Sequence, residues 1–441
     1  MALQIYGAPL SPQGSRLSRV VRRFVRRRRE RREDAQAGRV SINLRAPVLV
    51  YFGDSVSKLY QLDQWLPALD ALNQHCGVIL VVRNSASARA LARRTRLAVV
   101  YLRSVRQLTD FYRANTIKVA LYVNHGRSNF QSLLATDTLH VHLNHGESDK
   151  RSSFSNQARA YHRVFVAGEH GNRRYVESLL EFDDSRIVRV GRPQLDTFFA
   201  PELPASPRRT VMYAPTWEGD TEDNNFTSLD RYGVAVVSAL LALTDVRVVY
   251  KPHPRLIDSD RAPLAQAHQA TLALLSEANK RDPEAGHVSA RGQILAMLDD
   301  VSLLVTDISS VGPDFLYLHP ERPLFITDRR DDRERLIDGC PMAAGTDVID
   351  SSTLDTLPRV FAARLDGDER RSSRLAVRRY YFGDLQPGES TVHFIDAVRQ
   401  LCAERDEQLA ARTSARADLG SAGWEGRSEG QSRPMLESPR S

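Results

Sequence analysis

The sequence predicts an α/β protein with two doubly wound domains in tandem, and three observations support this fold class. The chain has 441 residues, more than one hydrophobic core usually holds, and its hydrophobic content of 42% is enough to fill two cores. Short β-branched runs alternate with helical stretches from about residue 47 onward, as in parallel sheets that are buried on both faces. A proline-rich link at residues 200–209 divides these runs into two series. We therefore expect one domain over residues 38–200 and a second over residues 201–403.

Residues 1–37 are predicted to form a basic arm that precedes both domains. Within the stretch 16–34, apolar residues recur at helical spacing and arginines occupy the other faces. The apolar stripe consists of Leu17, Val20, Val21, Phe24 and Val25. An amphipathic helix of this kind binds anionic lipid with roughly 1 kcal/mol per basic side chain near the surface, so residues 16–33 are expected to contact an anionic membrane surface. An RNA-binding arm and a solvated charged helix are the alternatives, although no nucleic acid partner is expected because no aromatic-rich basic module accompanies the arm.

The predicted strands are apolar runs that end in polar or glycine residues. In the first domain they lie at residues 47–54, 76–84, 97–102, 117–126, 139–147 and 163–171. In the second domain they lie at residues 210–219, 246–254, 302–310 and 322–328. From about residue 404 the apolar runs cease and Ser, Gly, Arg and Glu dominate, so residues 404–441 are predicted to form a disordered tail.

Composition and charge exclude several classes of protein. The three cysteines, Cys76, Cys340 and Cys402, show no CxxC or Cys/His spacing, which argues against a zinc site and a disulfide framework. No apolar run approaches the roughly 20 residues of a membrane-spanning helix, and no secretory signal follows the arginines. The net charge of +7 is concentrated in the arm. A cytoplasmic protein attached peripherally to the cytoplasmic face of the cell membrane fits these observations.

Candidate functional residues of the first domain follow its predicted strands. In doubly wound sheets, ligands bind beyond the carboxyl ends of the strands. The tripeptide Asn-His-Gly occurs there twice, at residues 124–126 and 144–146, and the second copy is followed by Glu147 and Lys150. One such histidine is usually a turn residue, but two at adjacent strand ends favour a site that combines acid, base and cation.

The second domain supplies a candidate phosphate site. Lys251 and His253 lie on either side of Pro252 at the end of a predicted strand, and Pro252 and Pro254 are expected to hold them rigidly at the edge of the sheet. Ser309 and Ser310 follow the strand that ends in Thr306 and Asp307, and they open a helix. Serines there are ordinary helix caps, yet the same position offers free N–H groups, hydroxyls and the positive end of a helix dipole to a phosphate. No GxGxxG or P-loop is present, which disfavours a nicotinamide enzyme and a P-loop ATPase.

Lysine usage supports this clustering of motifs. Only five of the 61 basic side chains are lysines, and Lys150 and Lys251 both lie in the motifs above. A compact ammonium group differs chemically from a planar guanidinium group, so lysine at these two positions favours a specific role.

Together these motifs resemble the CDP-glycerol glycerophosphotransferases, the teichoic-acid primases and polymerases of bacterial cell walls. The loop at residues 144–150 resembles the family's Trp-His-Gly-Thr-Pro-Leu-Lys, and the preceding strand end at residues 123–130 also fits. Gly191–Asp196 is similar to Gly-Tyr-Pro-x-x-Asp, and the family's Tyr-Ala-Pro-Thr-Trp is intact at residues 213–217. The remaining matches are His253-Pro254, the Thr-Asp-x-Ser-Ser motif at residues 306–310, and the Arg-Pro-hydrophobic segment that ends at Thr327.

The resemblance implies a GT-B architecture, in which two Rossmann-like domains face each other across a cleft. It implies transfer of glycerol phosphate, or a related polyol phosphate, from CDP-glycerol to a polyol hydroxyl, with release of CMP and without a metal or another cofactor. The family's two functional histidines correspond to His145 and His253. The expected partners are a CDP-activated polyol donor, a lipid-linked glycan acceptor and the membrane surface. Asn144 stands where the family has tryptophan, and Glu147, Ser148 and Asp149 also depart from its pattern, so the acceptor is expected to differ from the standard linkage unit.

The chemistry assigns a role to each candidate. Attack of a hydroxyl on phosphorus needs a base near the hydroxyl and cations or donors around the departing nucleotide phosphate. His145 is predicted as the base. The predicted donor site consists of Lys251, His253, Thr306, Asp307, Ser309, Ser310, Arg192, Thr216 and Trp217. The predicted acceptor side consists of Asn124, His125, Glu147 and Lys150. A GT-B glycosyltransferase that uses a nucleotide sugar, and a non-catalytic scaffold at the membrane surface, are the alternatives.

Overall fold

The computed structural model describes residues 46–150, 153–257, 259–386 and 388–421. The predicted basic arm, with its membrane-binding residues 16–33, lies outside the described residues, as does the part of the predicted tail beyond residue 421. Within the described part of the chain, no helix is long and apolar enough to span a membrane.

The first domain contains seven parallel strands in the order β3-β2-β1-β4-β5-β6-β7. The strands are β1 (Val48–Phe52), β2 (Val78–Val82), β3 (Ala98–Tyr101), β4 (Val119–Tyr122), β5 (Leu139–His142), β6 (Arg163–Val166) and β7 (Ile187–Arg189). The central strands β1 and β2 are buried at every residue, which accounts for their unbroken apolar sequence.

Helices cover both faces of this sheet. They are α1 (Tyr60–Asp63), α2 (Leu66–Asn73), α3 (Ser85–Leu91), α4 (Val105–Ala114), α5 (Asn129–Ser132) and α6 (Glu169–Ser178). Short 3-10 turns at Val56–Lys58 and Pro193–Leu195 lie in the loops that follow β1 and β7. Asn84 caps α3 and Ser104 caps α4, where Gln107 completes a capping box, so these polar residues set where the helices begin.

The second domain contains six parallel strands in the order β10-β9-β8-β11-β12-β13. The strands are β8 (Arg209–Ala214), β9 (Val246–Tyr250), β10 (Val288–Ser289), β11 (Val301–Thr306), β12 (Leu324–Thr327) and β13 (Asp347–Ile349). Successive residues of β8 alternate between two cores: Val211 and Tyr213 pack on one face of the sheet, and Met212 and Ala214 pack on the other. Both faces are therefore buried, and the predicted pair of doubly wound domains is confirmed.

The helices of the second domain lie between these strands and after the last of them. They are α7 (Val234–Leu241), α8 (Pro254–Ile257), α9 (Ala262–Arg281), α10 (Val311–Leu318), α11 (Arg333–Gly339), α12 (Met342–Gly345), α13 (Leu357–Asp366) and α14 (Arg371–Phe382). The edge strands β10 and β13 have only two and three residues, which explains why no apolar run in the sequence predicted them.

The last helix, α15 (Glu389–Ser421), corrects two predictions. The predicted disordered tail is wrong at residues 404–421, because the helix continues through them. The predicted domain boundary at residue 403 is also wrong, because Phe394 packs against Trp65 and Phe165 of the first domain, with ring centroids 5.4 and 6.2 Å apart. Beyond Cys402, ion pairs hold the helix against the first domain. Ion pairs leave no apolar run in the sequence, so this part of the helix was not predicted.

Two of those ion pairs show how the polar part of α15 is attached. Glu404 accepts a hydrogen bond from Arg163 at 2.8 Å, and Asp406 pairs with Lys118. Arg163 begins β6 and Lys118 precedes β4, so the helix passes the amino-terminal ends of these strands of the first sheet. The chain therefore returns to its first domain after completing the second.

Candidate active site

A cavity of about 370 Å³ lies between the carboxyl ends of strands from the two domains. From the first domain, the predicted residues that line it are Asn124, His125, His145 and Lys150. From the second domain they are Thr216, Trp217, Lys251, His253, Ser309 and Ser310. Ten of the fourteen predicted site residues thus surround one space, at the position where doubly wound domains bind ligands.

The loop after β5 presents His145 to the cavity through an unusual backbone conformation at Asn144. Asn144 has a φ of 58°, in the left-handed region that asparagine tolerates better than most residues. Its side-chain Oδ1 accepts a hydrogen bond from the His145 N–H at 2.9 Å, and its carbonyl accepts one from Trp65 Nε1 at 2.7 Å. These bonds fix the loop, so the departure from the family's tryptophan has a local structural role.

The pKa of His145 is lowered to about 4, chiefly by burial and then by the charge of Arg192. Its ring is therefore neutral at pH 7. Its Nδ1 atom is buried and has no hydrogen-bond partner among the described residues. A neutral imidazole with an unoccupied nitrogen is suited to accept a proton.

His253 follows β9 in the rigid segment between Pro252 and Pro254. The His253 N–H donates to the Pro215 carbonyl at 3.1 Å, and His253 Nδ1 accepts from the Arg255 N–H at 3.2 Å. Because Nδ1 is an acceptor, the neutral ring carries its proton on Nε2. Burial lowers the pKa of His253 well below its ordinary value, and nearby Lys150 lowers it further. The ring is thus a neutral hydrogen-bond donor.

Tyr60 lies between the two histidines and was not predicted from the sequence. Its ring makes edge-to-face contacts with His145 and His253, at centroid distances of 6.2 and 5.7 Å. It belongs to α1 of the first domain and lines the cavity. The two histidines, which approach from different domains, therefore share one aromatic neighbour.

Two lysines, Lys251 buried and Lys150 half-buried, add positive charge to the donor-side wall. Lys251 continues β9 and is 6% exposed, and burial lowers its pKa to about 8. Lys150 was predicted on the acceptor side, but its Nζ donates to Thr216 Oγ1 of the second domain at 2.9 Å. Burial lowers its pKa to about 8 as well. Lys150 therefore contributes its charge across the cleft.

Ser309 and Ser310 lie at the start of α10 and line the cavity, as predicted. Ser309 Oγ accepts a hydrogen bond from the Val311 N–H at 3.2 Å, whereas Ser310, the residue directly before the helix, makes no capping bond through its side chain. The Ser309 hydroxyl keeps its own proton for a ligand, and the helix start supplies further N–H groups. Bonding to the helix start and binding an anion are therefore compatible at Ser309.

Four predicted residues lie behind the cavity wall and do not line the cavity. Thr306 Oγ1 donates to the Ala214 carbonyl at 2.8 Å. Asp307 is fully buried and accepts hydrogen bonds from the Thr216 N–H at 2.7 Å and from Thr327 Oγ1 at 2.6 Å. Glu147 Oε1 accepts from the Ala167 N–H at 2.9 Å. These side chains hold the loops that carry the cavity residues.

The fourth residue behind the wall, Arg192, joins the two domains. Its guanidinium group forms a buried ion pair with Asp314 of α10, with Nε donating to Oδ1 at 3.0 Å. Asp149 forms a second junction, because its carboxylate contacts His170 of the first domain and accepts from Tyr381 of α14 at 2.8 Å. Asp314, His170 and Tyr381 carry no motif in the sequence, and only the fold brings them to this junction.

The cleft has little spare room where the two domains meet. A Cβ atom at Gly146 would lie 2.7 Å from the Cβ of Ser310. The loop that carries His145 and the helix that carries Ser310 can therefore approach this closely only because residue 146 is glycine.

Two doubly wound domains that face a cavity lined by cations, imidazoles and hydroxyls define a GT-B-type transferase. The family model for CDP-glycerol:poly(glycerophosphate) glycerophosphotransferase matches residues 65–396, about three quarters of the chain. The chain belongs to this family, which confirms the resemblance inferred from its motifs. It is accordingly a CDP-glycerol glycerophosphotransferase-like transferase related to teichoic acid synthesis.

Solved structures agree with this fold. A histidine-to-alanine variant of the wall teichoic acid polymerase TagF has a TM-score of 0.54 and 14% identity, over 89% of this chain and 98% of that one. A TagF histidine variant soaked with CDPG has a TM-score of 0.50 and 14% identity, over 88% and 97% of the chains. A Listeria monocytogenes protein assigned as a UDP-N-acetylglucosamine 2-epimerase has a TM-score of 0.54 and 13% identity, over 82% and 98%. No curated protein matches the sequence.

Metal ligands were not predicted for this site. Among the described residues, no group of three or more His, Cys, Asp or Glu side chains is placed to hold a metal ion. That the reaction proceeds without a metal stays a prediction.

Replacing Gly146 by alanine is expected to lower the transfer rate by roughly 10²-fold, because the added Cβ pushes the His145 loop about an ångström away from α10. The rate should be measured as nucleotide release under saturating donor. Gly339→Ala is the matched control, since a Cβ there has nothing within 4 Å and should leave the rate unchanged. Equal rates in both variants would show that the close contact at Gly146 is dispensable.

Donor binding is expected to weaken as the pH rises above about 8, where the unliganded Lys150 and Lys251 lose their protons. Their pKa values lie below the ordinary value for lysine, and a bound phosphate raises them again, so binding above pH 8 requires proton uptake. Each lysine contributes up to about a tenfold loss of affinity per pH unit. Calorimetric titration with CDP-glycerol between pH 7 and 9.5 measures how the donor affinity changes with pH. Lys251→Arg, which stays charged, should show a shallower decline.

Proposed function

We propose that the protein transfers glycerol phosphate, or a related polyol phosphate, from CDP-glycerol to a hydroxyl group of a lipid-linked cell-wall or capsular glycopolymer and releases CMP. The observation that carries this proposal is the convergence of His145 and His253 from separate domains on one cavity, together with Lys150, Lys251 and the two serines at the start of α10. Such an arrangement offers a base to one substrate and a set of hydrogen-bond donors to the other.

The donor diphosphate binds against the second domain in this proposal. Lys251, Ser309 and Ser310 present an ammonium group and two hydroxyls on that wall, and Lys150 reaches it from the opposite loop. All are hydrogen-bond donors toward phosphate oxygens. Arg255 stacks on the Trp217 ring at 3.4 Å from its centroid, which fixes an aromatic surface beside His253 for the nucleotide.

His145 acts as the general base. The acceptor hydroxyl oxygen attacks the phosphorus that carries glycerol, a new P–O bond forms, and the bond from that phosphorus to the CMP oxygen breaks. The hydroxyl proton moves to the neutral His145 ring. The negative charge of a bound diphosphate raises the pKa of this ring from its low value in the empty cavity, which strengthens it as a base.

His253 and the cations stabilise the leaving group. His253 Nε2–H donates to the phosphate oxygen of the departing CMP, on which negative charge develops as the bond breaks. Lys251 neutralises the same group. Positive charge and oriented hydroxyls are the contributions that phosphoryl transfer requires from a protein.

Product analysis tests this function. Purified protein is incubated with CDP-glycerol, CDP-ribitol or UDP-sugars in the presence of lipid-linked acceptors, and the products are identified by mass spectrometry. CMP release with a mass increase of one polyol phosphate supports the proposal. UDP release would instead support the nucleotide-sugar glycosyltransferase, and no turnover of any donor would support the scaffold.

We also propose that residues 16–33 attach the enzyme to the cytoplasmic face of the membrane, where lipid-linked acceptors lie. Replacing Val21 and Phe24 by aspartate should then abolish flotation with anionic vesicles, because it removes apolar burial and adds repulsion. Activity toward a soluble acceptor should survive. Salt at 1 M, with a Debye length of about 3 Å, should weaken the attachment only in part.

Flotation of the wild type, the double-aspartate variant and a chain that starts near Ala37 distinguishes the alternatives. Equal flotation of all three would show that the arm is not the anchor. An RNA-binding arm predicts instead that high salt abolishes RNA binding completely.

A further inference from the structure

One wall of the cavity carries four polar side chains, of which only Asn124 was a predicted site residue. Asp54 follows β1, Gln61 lies in α1, Gln64 follows α1, and Asn124 follows β4. All four line the cavity, and all belong to the first domain. We refer to this set as the amide wall.

Hydrogen bonds within the amide wall fix its geometry. Asn124 Nδ2 donates to Asp54 Oδ2 at 2.9 Å and to Gln61 Oε1 at 2.8 Å, while its Oδ1 accepts from the Gly126 N–H at 2.9 Å. Lys58 Nζ donates to Asp54 Oδ1 at 3.0 Å. The donors of Asn124 are therefore used within the protein, and the Asp54 carboxylate is held in one orientation.

The amide wall leaves several hydrogen-bond acceptors free. Gln64 is 5% exposed, and its buried Oε1 has no partner among the described residues. Each carboxylate oxygen of Asp54 has one partner here and can accept another bond. A buried carbonyl oxygen without a partner is costly, so Gln64 Oε1 points to a ligand that donates a hydrogen bond.

The two walls of the cavity are thus complementary in hydrogen bonding. The opposite wall, with Lys251, Ser309 and Ser310, presents donors and suits phosphate oxygens, which only accept. A phosphodiester offers nothing to Gln64 Oε1 and is repelled by Asp54. A hydroxyl group donates, and a set of neighbouring hydroxyls can serve both residues.

We propose that the amide wall is the acceptor subsite and that it binds an uncharged, hydroxyl-rich acceptor end, a polyol or a sugar, with Asp54 and Gln64 accepting hydrogen bonds from the hydroxyls beside the attacking one. The inference rests on the proposed function, because it assigns the attacking hydroxyl to this wall. His145 lines the same cavity and takes the proton of that hydroxyl. Glu147, which the sequence suggested for the acceptor side, is replaced in this role by Asp54 and Gln64.

Binding of ribitol, a neutral polyol, tests the subsite without relying on turnover. Saturation-transfer NMR in the presence of CMP measures ribitol binding to the wild type, to Gln64→Met and to Asp54→Asn. Methionine matches the length of glutamine and removes its hydrogen-bonding groups. Each variant should weaken ribitol binding by about 5- to 150-fold, the cost of leaving one hydroxyl of the ligand unpaired. CMP affinity should stay unchanged, which also shows that each variant is folded.

Controls and competing outcomes separate this inference from the proposed function. Gln74→Met, at an exposed glutamine after α2, should leave ribitol binding unchanged. Inorganic phosphate should not displace ribitol. Unchanged ribitol binding in both variants, or displacement of ribitol by phosphate, would overturn the subsite. If instead ribitol binds as expected but CDP-glycerol gives no CMP with any acceptor, the subsite stands and the proposed function fails.

Discussion

Replacing His145 by alanine is expected to lower turnover by about 10²–10⁴-fold, the usual contribution of a general base. Donor affinity should stay within about twofold of the wild type, because His145 comes from the first domain and the proposed phosphate contacts come from the second domain and from Lys150. Single-turnover measurements of CMP release, together with calorimetric titration of CDP-glycerol, separate the two quantities.

The pH dependence gives this prediction a second readout. The wild-type rate should fall as the pH is lowered through the pKa of His145 in the substrate complex, since a protonated imidazole cannot accept the hydroxyl proton. In His145→Ala that acid limb should disappear. His75→Ala, at an exposed histidine, is the matched control and should keep both the rate and the acid limb. Near-normal turnover in His145→Ala would remove this residue from the mechanism.

Replacing His253 by alanine, or Ser309 and Ser310 together, is expected to reduce both donor affinity and rate. Each change removes hydrogen-bond donors that face the proposed diphosphate, and loss of one such donor in a water-poor site costs about 10²–10³-fold in rate. Part of the loss should appear as weaker CDP-glycerol binding, because the ground-state diphosphate already uses these groups. A loss of both donor affinity and rate distinguishes these donor-side residues from His145, whose replacement should lower the rate alone.

A matched serine pair controls for the loss of two hydroxyls. Ser351 and Ser352 are exposed in the loop after β13, and their double alanine variant should bind and turn over CDP-glycerol normally. If the Ser309/Ser310 variant and His253→Ala both keep wild-type donor affinity, the donor diphosphate binds elsewhere.

The sequence predicted the strands and the cavity motifs well, for a physical reason. Parallel strands buried on both faces must be nearly continuous apolar runs, and ligands must meet the polar residues that follow those runs. His145, Lys251 and His253 satisfy both conditions, so each was placed at the cleft from its position after a strand.

The residues that were missed depend on contacts between distant segments. Tyr60 and Gln64 lie in and after a four-residue helix with no distinctive motif, and they reach the cavity because the loop after β1 folds over the end of the sheet. Asp149 meets Tyr381 only when the domains come together. Thr306 and Asp307 show the opposite case, because the protein itself uses these polar residues at a strand end for its own hydrogen bonds.

The return of α15 to the first domain also bears on the order in which the protein matures during synthesis. Trp65, Phe165 and their neighbours emerge from the ribosome early, but Phe394, Val398 and Leu401, which complete their core, emerge only after the entire second domain. The first domain therefore depends on contacts of very large sequence separation, which form slowly. Until they form, the nascent chain exposes an apolar face, and this is the interval in which a chaperone or a misfolded contact can capture it.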